Sequence, residues 1–92
     1  MAKIFVVDRE HDATVKAFKV EREHEADLLA FVVEREYEAK TDAKWFFVNR
    51  QSEATTKLFW VEREHESQLK VLFVTREYEA KWVKGHPLQN RL

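Results

Sequence analysis

Cysteine is absent from this 92-residue chain, which excludes disulfides, thiolate metal ligands and a cysteine nucleophile. Glycine and proline occur once each, as Gly85 and Pro87, both near the C-terminus. Tight hairpins built on positive-φ turns are therefore excluded from the first 84 residues. Neither sign of charge is in excess: charged residues make up 36% of the chain, yet the net charge is -1. Gripping a nucleic-acid backbone requires a basic surplus, so nucleic acid is an unlikely partner. No stretch approaches the roughly 18 apolar residues of a membrane span. The opening MAKIFVVDRE has too short an apolar run for a signal peptide. These absences point to a soluble cytoplasmic protein, and an apolar content of 45% to a folded one.

What is present is one phrase said six times. VDREHDA, VEREHEA, VEREYEA, VNRQSEA, VEREHES and VTREYEA divide the chain into units 1–13, 14–26, 27–39, 40–54, 55–67 and 68–80, followed by a tail at 81–92. Five units have 13 residues and the fourth has 15. Internal repetition governs the fold, because each unit must adopt much the same structure. Lys-x-Phe-x-Val-x-Arg recurs with period two, the signature of a strand. Its columns are Phe5, Phe18, Phe31, Phe46, Phe59 and Leu72, then Val7, Val20, Val33, Val48, Val61 and Val74. The alternate face carries Ile4, Ala17, Ala30, Trp45, Leu58 and Val71, then Val6, Lys19, Val32, Phe47, Trp60 and Phe73. A continuous helix would rotate each unit by about 220° relative to the last and scatter these pairs. The expected fold is all-β. It is a single compact domain over residues 1–92, of six to seven short strands, the seventh near Trp82 and Val83. Short bends or single helical turns join the strands, and the Phe and Val columns turn inward to a shared centre.

Residues 20–40 and 61–81 match at 14 of 21 positions, with the irregular VNRQSEA unit between them. A path that goes twice around a common axis would produce this longer repetition. The strand phrase, followed by E-x-E-A-D-L, resembles the Septknot family of small bacterial β-strand-repeat proteins, through Phe31, Val33, Glu36, Tyr37, Glu38 and Ala39, with Asp27 and Leu28 after Ala26. The resemblance covers about residues 3–83 and implies a backbone tied into a seven-crossing torus knot, in a family without an established function. Arg after the acid, His in place of Tyr in three units, and VNRQSEA all depart from the family pattern.

Arg9, Arg22, Arg35, Arg50, Arg63 and Arg76 form one column and are candidates for an anion or nucleotide site, since guanidinium forks suit phosphate and carboxylate. The plainer expectation is a solvated ladder with the neighbouring acids. His11, His24 and His65 share a column with Tyr37, Ser52 and Tyr78, but they lack the spacing of a helical metal site, and surface placement is expected. His86 is expected in a loop. Pairs such as Glu23 and Glu25 offer one environment copied six times, whereas acid–base catalysis needs two that differ. No catalytic residue, cofactor or metal is expected, and the chain is read as a non-enzyme. Trp45, Trp60, Phe47 and Phe73 form a candidate interface. Lys19, alone among apolar residues in its column, marks an open edge or an exposed face. The leading expectation is a stable structural or protein-binding module, either a homodimer or engaged with another protein. The alternative is an anion-binding module using the Arg column.

Overall fold

The computed structural model describes residues 2–92. Seven strands form in order: β1 (Ala2–Val6), β2 (Val15–Lys19), β3 (Leu28–Val32), β4 (Lys44–Phe47), β5 (Thr56–Trp60), β6 (Leu69–Phe73) and the two-residue β7 (Lys81–Trp82). The first six are parallel and close into a barrel in the order β4-β1-β5-β2-β6-β3, with β3 returning to β4. Strands of the first lap (β1, β2, β3) leave gaps that β5 and β6 fill on the second. The doubled path expected from the long repeat is therefore realised. The fifteen-residue unit lies where the laps join, and there the chain moves to an adjacent strand rather than skipping one.

Registers explain how units of 13 residues make parallel crossovers without long helices. At every seam the pairing slips by two residues, for instance Ala2 opposite Trp45 and Ile4 opposite Thr56, which makes twelve over the six seams of one lap. A slip of about 6.6 Å along the strand for each 4.8 Å across implies a tilt of about 54°. A five-residue strand about 16 Å long then climbs only about 10 Å along the axis, and a short arch can return the chain to the bottom.

Each arch is a bend followed by a single 3-10 turn, at Glu10–Asp12, Glu23–Glu25, Glu36–Glu38, Gln51–Glu53, Glu64–Glu66 and Glu77–Glu79. The Arg column supplies the extended residue before each turn, with φ between -121° and -128° in all six. Its carbonyl accepts the amide three residues on, as in Arg9 O from Asp12 N at 3.1 Å. No arch uses a positive φ; the one such non-glycine residue among those described is Asn90 in the tail. The Val column continues the ladder past each strand end. Val7, Val20, Val33, Val48, Val61 and Val74 donate their amides to Leu58, Val71, Trp45, Ile4, Ala17 and Ala30 at 2.8–2.9 Å.

The two faces are placed opposite to expectation. The barrel interior holds the variable column, not the Phe column. Its lower ring is Ala2, Val15, Leu28, Ala43, Thr56 and Leu69; its middle ring is Ile4, Ala17, Ala30, Trp45, Leu58 and Val71, all buried. One lumen must be filled once, so a single Trp45 is balanced by two alanines in its ring. The Phe column lies outside, half-buried, beneath the arches. There it forms a second apolar layer, with Phe18, Leu72 and Val74 packed on Val20, Ala26 and Leu29. Five Phe side chains and Leu72 fit the outside because that surface recurs once per unit; five phenylalanines would overfill the centre.

Candidate functional site

The two ends of the barrel differ. At the lower end the tail closes the lumen: Leu92 is buried in the interior cluster, and Ala80, Trp82 and Leu88 pack on it. The tail is fastened by polar groups. Asp42 accepts from the Trp82 indole at 3.3 Å and from the Asn90 amide, and its carbonyl accepts from the Trp45 indole at 2.7 Å. Val83 N donates to Asp27 O at 3.0 Å. His86, expected as a plain loop residue, is a half-buried fastener. Its ring stacks on Trp82 at 5.5 Å, Nδ1 accepts from Leu88 N at 3.1 Å, and Nε2 lies 2.9 Å from Gln68 O. Accepting at Nδ1 assigns the proton of the neutral ring to Nε2, which then donates to Gln68. A cleft of about 400 Å³ between Lys40, Thr41, Lys81 and Asn90 marks this join. The carboxylate of Asp42 that lines it is already committed to the tail.

β7 enters for a related reason. At the regular seams, a polar side chain one residue before a strand caps the amide of the Lys column on its neighbour. Thr55 Oγ1 accepts from Lys3 N at 2.9 Å, Gln68 Oε1 from Lys16 N at 3.1 Å, Thr14 Oγ1 from Lys57 N at 3.0 Å and Asp27 Oδ2 from Lys70 N at 3.1 Å. The third unit has Leu29 where the others have lysine, and there β7 pairs antiparallel to β3 instead, with Lys81 opposite Leu29. Sequence reading missed this column because the role of Thr14, Asp27, Thr55 and Gln68 depends on a neighbour 43 or 52 residues away.

The upper end, where the six parallel strands finish, has no such plug among the described residues. The third ring of the lumen column is Val6, Lys19, Val32, Phe47, Trp60 and Phe73, and it forms a mouth. Val6 is 40% exposed, Val32 44% and Phe47 38%, while Trp60 and Phe73 are half-buried. Aromatic edges set the floor: Trp45 meets Phe47 at 6.1 Å and Phe73 at 5.5 Å, both T-shaped. Trp60 meets Phe73 at 5.9 Å with the planes at 63°. The Lys19 ammonium lies 5.6 Å from the Trp60 ring and 5.3 Å from Phe73. Of the four candidate interface residues, Phe47, Trp60 and Phe73 thus reach the mouth. Trp45 does not: fully buried, it supports the other rings and faces no partner. Lys19 marks an exposed face but no open edge, because the barrel is closed.

The candidate Arg residues are all exposed and stand one per arch around the outside. The structure does not gather them. Arg22 shares a shallow groove with Glu21, Glu25 and Glu64; Arg35 with Glu34, Glu38 and Glu77; Arg63 with Glu10, Glu62 and Glu66. Arg35 and Arg76 donate to the hydroxyls of Tyr37 and Tyr78 at 2.9 and 2.8 Å. The acids pair instead with the Lys column: Lys3 with Glu36 at 3.4 Å, Lys16 with Glu10 at 3.6 Å, Lys44 with Glu77 at 3.0 Å and Lys70 with Glu64 at 3.0 Å. A hydrogen bond to Glu64, reinforced by its charge, holds the Lys70 ammonium above its ordinary pKa. His11, His24 and His65 are exposed on separate arches. Among the described residues, no group of three or more His, Asp or Glu side chains is placed to hold a metal ion, and no helix is long and apolar enough to cross a membrane.

The family model described as a 7(1) septoil knot domain matches residues 1–83, nine-tenths of the chain. The chain belongs to the Septknot family. No curated protein and no solved structure matches it. Septknot is not known as an enzyme family, and its matched span ends where the tail of this chain begins to close the lower end of the barrel.

Proposed function

We propose that this Septknot chain is a non-enzymatic protein-binding module whose docking surface is the open mouth of the barrel. The observation that carries the reading is the asymmetry of the two ends. The lower end is sealed by Leu92 and the tail, whereas the upper end leaves Val6, Val32 and Phe47 in water around a floor of Trp45, Trp60 and Phe73. An apolar, aromatic patch with a polar surround is the usual composition of an interface centre. The partner is a segment of another protein, and a homodimer is the second form the same surface allows. The rigid barrel presents the rings at little entropic cost, because closed hydrogen bonding leaves them no strand edge to deform.

An anion-binding role for Arg9, Arg22, Arg35, Arg50, Arg63 and Arg76 has less support, since the grooves of Arg22, Arg35 and Arg63 each hold three carboxylates. Three measurements separate the readings. Cross-linking from the mouth identifies a partner, and sedimentation across concentration detects a homodimer. The protein-binding reading requires that Trp60→Ala weaken the association and Arg63→Ala leave it intact; the reverse pattern moves the interface to the arches. The anion reading requires a melting temperature that rises with phosphate or pyrophosphate beyond matched chloride.

A further inference from the structure

We infer that the mouth of the barrel is a two-walled aromatic site for an organic cation, and that Lys19 occupies it in the free protein in place of a lysine, arginine or methylated ammonium group of the partner. The inference rests on the protein-binding reading and names the chemistry of the partner's central side chain. Its geometric basis is the angle between Trp60 and Phe73. Their planes meet at 63° with centroids 5.9 Å apart, so the two faces open onto a common space. An ammonium is held there, 5.6 Å from one centroid and 5.3 Å from the other. Both distances lie within the range at which a ring face attracts a cation.

The fold does not demand a cation at this position. The same column holds Val6, Val32, Phe47, Trp60 and Phe73 in the other five units, and each suits a third-ring position. Lysine there lies over both rings, exposed to water, without filling the mouth. The surroundings favour positive charge as well. Beside Lys19 runs the groove of Glu21, Glu25 and Glu64 with Arg22, and beside Trp60 the groove of Glu10, Glu62 and Glu66 with Arg63. Glu64 is paired with Lys70 and Glu10 with Lys16, so Glu21 and Glu25 face Arg22 and Lys19 itself while Glu62 and Glu66 face Arg63, and each groove is left with one negative charge in excess once Lys19 is displaced.

Lys19 is a tethered and weak competitor. An exposed contact of this kind shifts an equilibrium by roughly two- to five-fold, so a cation offered on a larger apolar segment can displace it. The test compares choline with its neutral isostere 3,3-dimethylbutan-1-ol. The indole N–H resonance of Trp60 is followed in the full chain and in Lys19→Ala, and the Phe73 ring resonances in Lys19→Ala/Trp60→Leu. In Lys19→Ala, choline is expected to perturb Trp60 at a concentration at least about five-fold below that of the alcohol, and the unaltered chain to need roughly two- to five-fold more choline. The double variant is expected to lose the response. Equal responses to choline and the alcohol would overturn the cation site while leaving an apolar docking mouth. Silence toward both ligands in Lys19→Ala would also overturn it, and the effect of Trp60→Ala on partner capture then decides the broader reading separately.

Discussion

Thr55 and Thr56 are adjacent, and replacing each by valine should change stability in opposite directions. Thr56 lies in the lower ring of the lumen, 2% exposed, and its Oγ1 has no hydrogen-bond partner among the described residues. Its ring neighbours are Ala2, Val15, Leu28, Ala43 and Leu69, none of which offers a side-chain acceptor. A buried hydroxyl without a partner costs about 1–3 kcal/mol. Valine has nearly the same shape and removes that cost, so Thr56→Val should stabilise the barrel by about 1–2 kcal/mol. For a domain of this size that raises the melting temperature by roughly 4–8 °C per kcal/mol. Thr55 is exposed, and its Oγ1 accepts from Lys3 N at 2.9 Å and donates to Lys3 O at 3.1 Å across the β1–β5 seam. Thr55→Val deletes that cap and should destabilise by about 0.5–1.5 kcal/mol. Equilibrium denaturation with guanidinium, incubated until refolding and unfolding curves coincide, reads both changes as shifts in midpoint at constant slope. A lower midpoint for Thr56→Val would show that the hydroxyl has a partner in solution, such as a trapped water, and that the lumen is not dry.

Three further outcomes are expected. Trp45→Ala removes the largest side chain of the middle ring and should cost about 3–5 kcal/mol; a loss below about 1 kcal/mol in denaturation would mean that Trp45 does not fill the lumen. Glu64→Gln leaves an acceptor oxygen but weakens the hydrogen bond and removes the charge that raise the Lys70 pKa. A raised lysine pKa stabilises the fold below the unfolded value near 10.5 and ceases to do so as pH climbs through the higher folded value. The variant should therefore be slightly less stable than the parent at pH 8, with the gap narrowing above about pH 10.5 and shrinking in salt; a gap constant with pH in parallel melts would refute the pairing. Refolding from full denaturant should take minutes or longer, since nearly every strand pairs with strands distant in sequence and the second lap must interleave with the first; single-exponential recovery in milliseconds would exclude a threaded path.

Strands and arches were legible because they depend on what all six units share, and the doubled path because residues 61–81 repeat 20–40. Period-two alternation fixes an extended segment, and scarcity of glycine leaves only ordinary backbone for the bends. The inside–outside assignment was not legible by the same logic. The more regular Phe and Val columns look like a centre, yet regularity is a property of places that occur six times, and an arch-covered outer surface occurs six times. A lumen occurs once, so its residues must differ to share one volume, as Trp45 does with Ala17 and Ala30. The misplacement of Trp45 as an interface residue follows from the same error. The fastening role of His86 lay beyond reach because its partners, Gln68, Trp82 and Leu88, assemble only when the tail reaches the lower end.

Departures from the repeat then become the informative positions, because each breaks a rule that five other units obey. Leu29 replaces the column lysine where β7 docks, and the two additional residues of the fourth unit fall where one lap becomes the next. Both serve the closing of the barrel. Lys19 has no such duty. Its side chain joins no seam and pairs with no carboxylate among the described residues; it rests on two rings at the one end the tail does not cover. An apolar residue there would bury more surface and hold the fold at least as well. Retaining a cation over an exposed aromatic mouth makes physical sense if the mouth must stay accessible and unaggregated until something of matching charge arrives. Lys19 differs in this from Lys3, Lys16, Lys44 and Lys70 of the outer column, whose ion pairs with Glu36, Glu10, Glu77 and Glu64 account for their charge without invoking a partner.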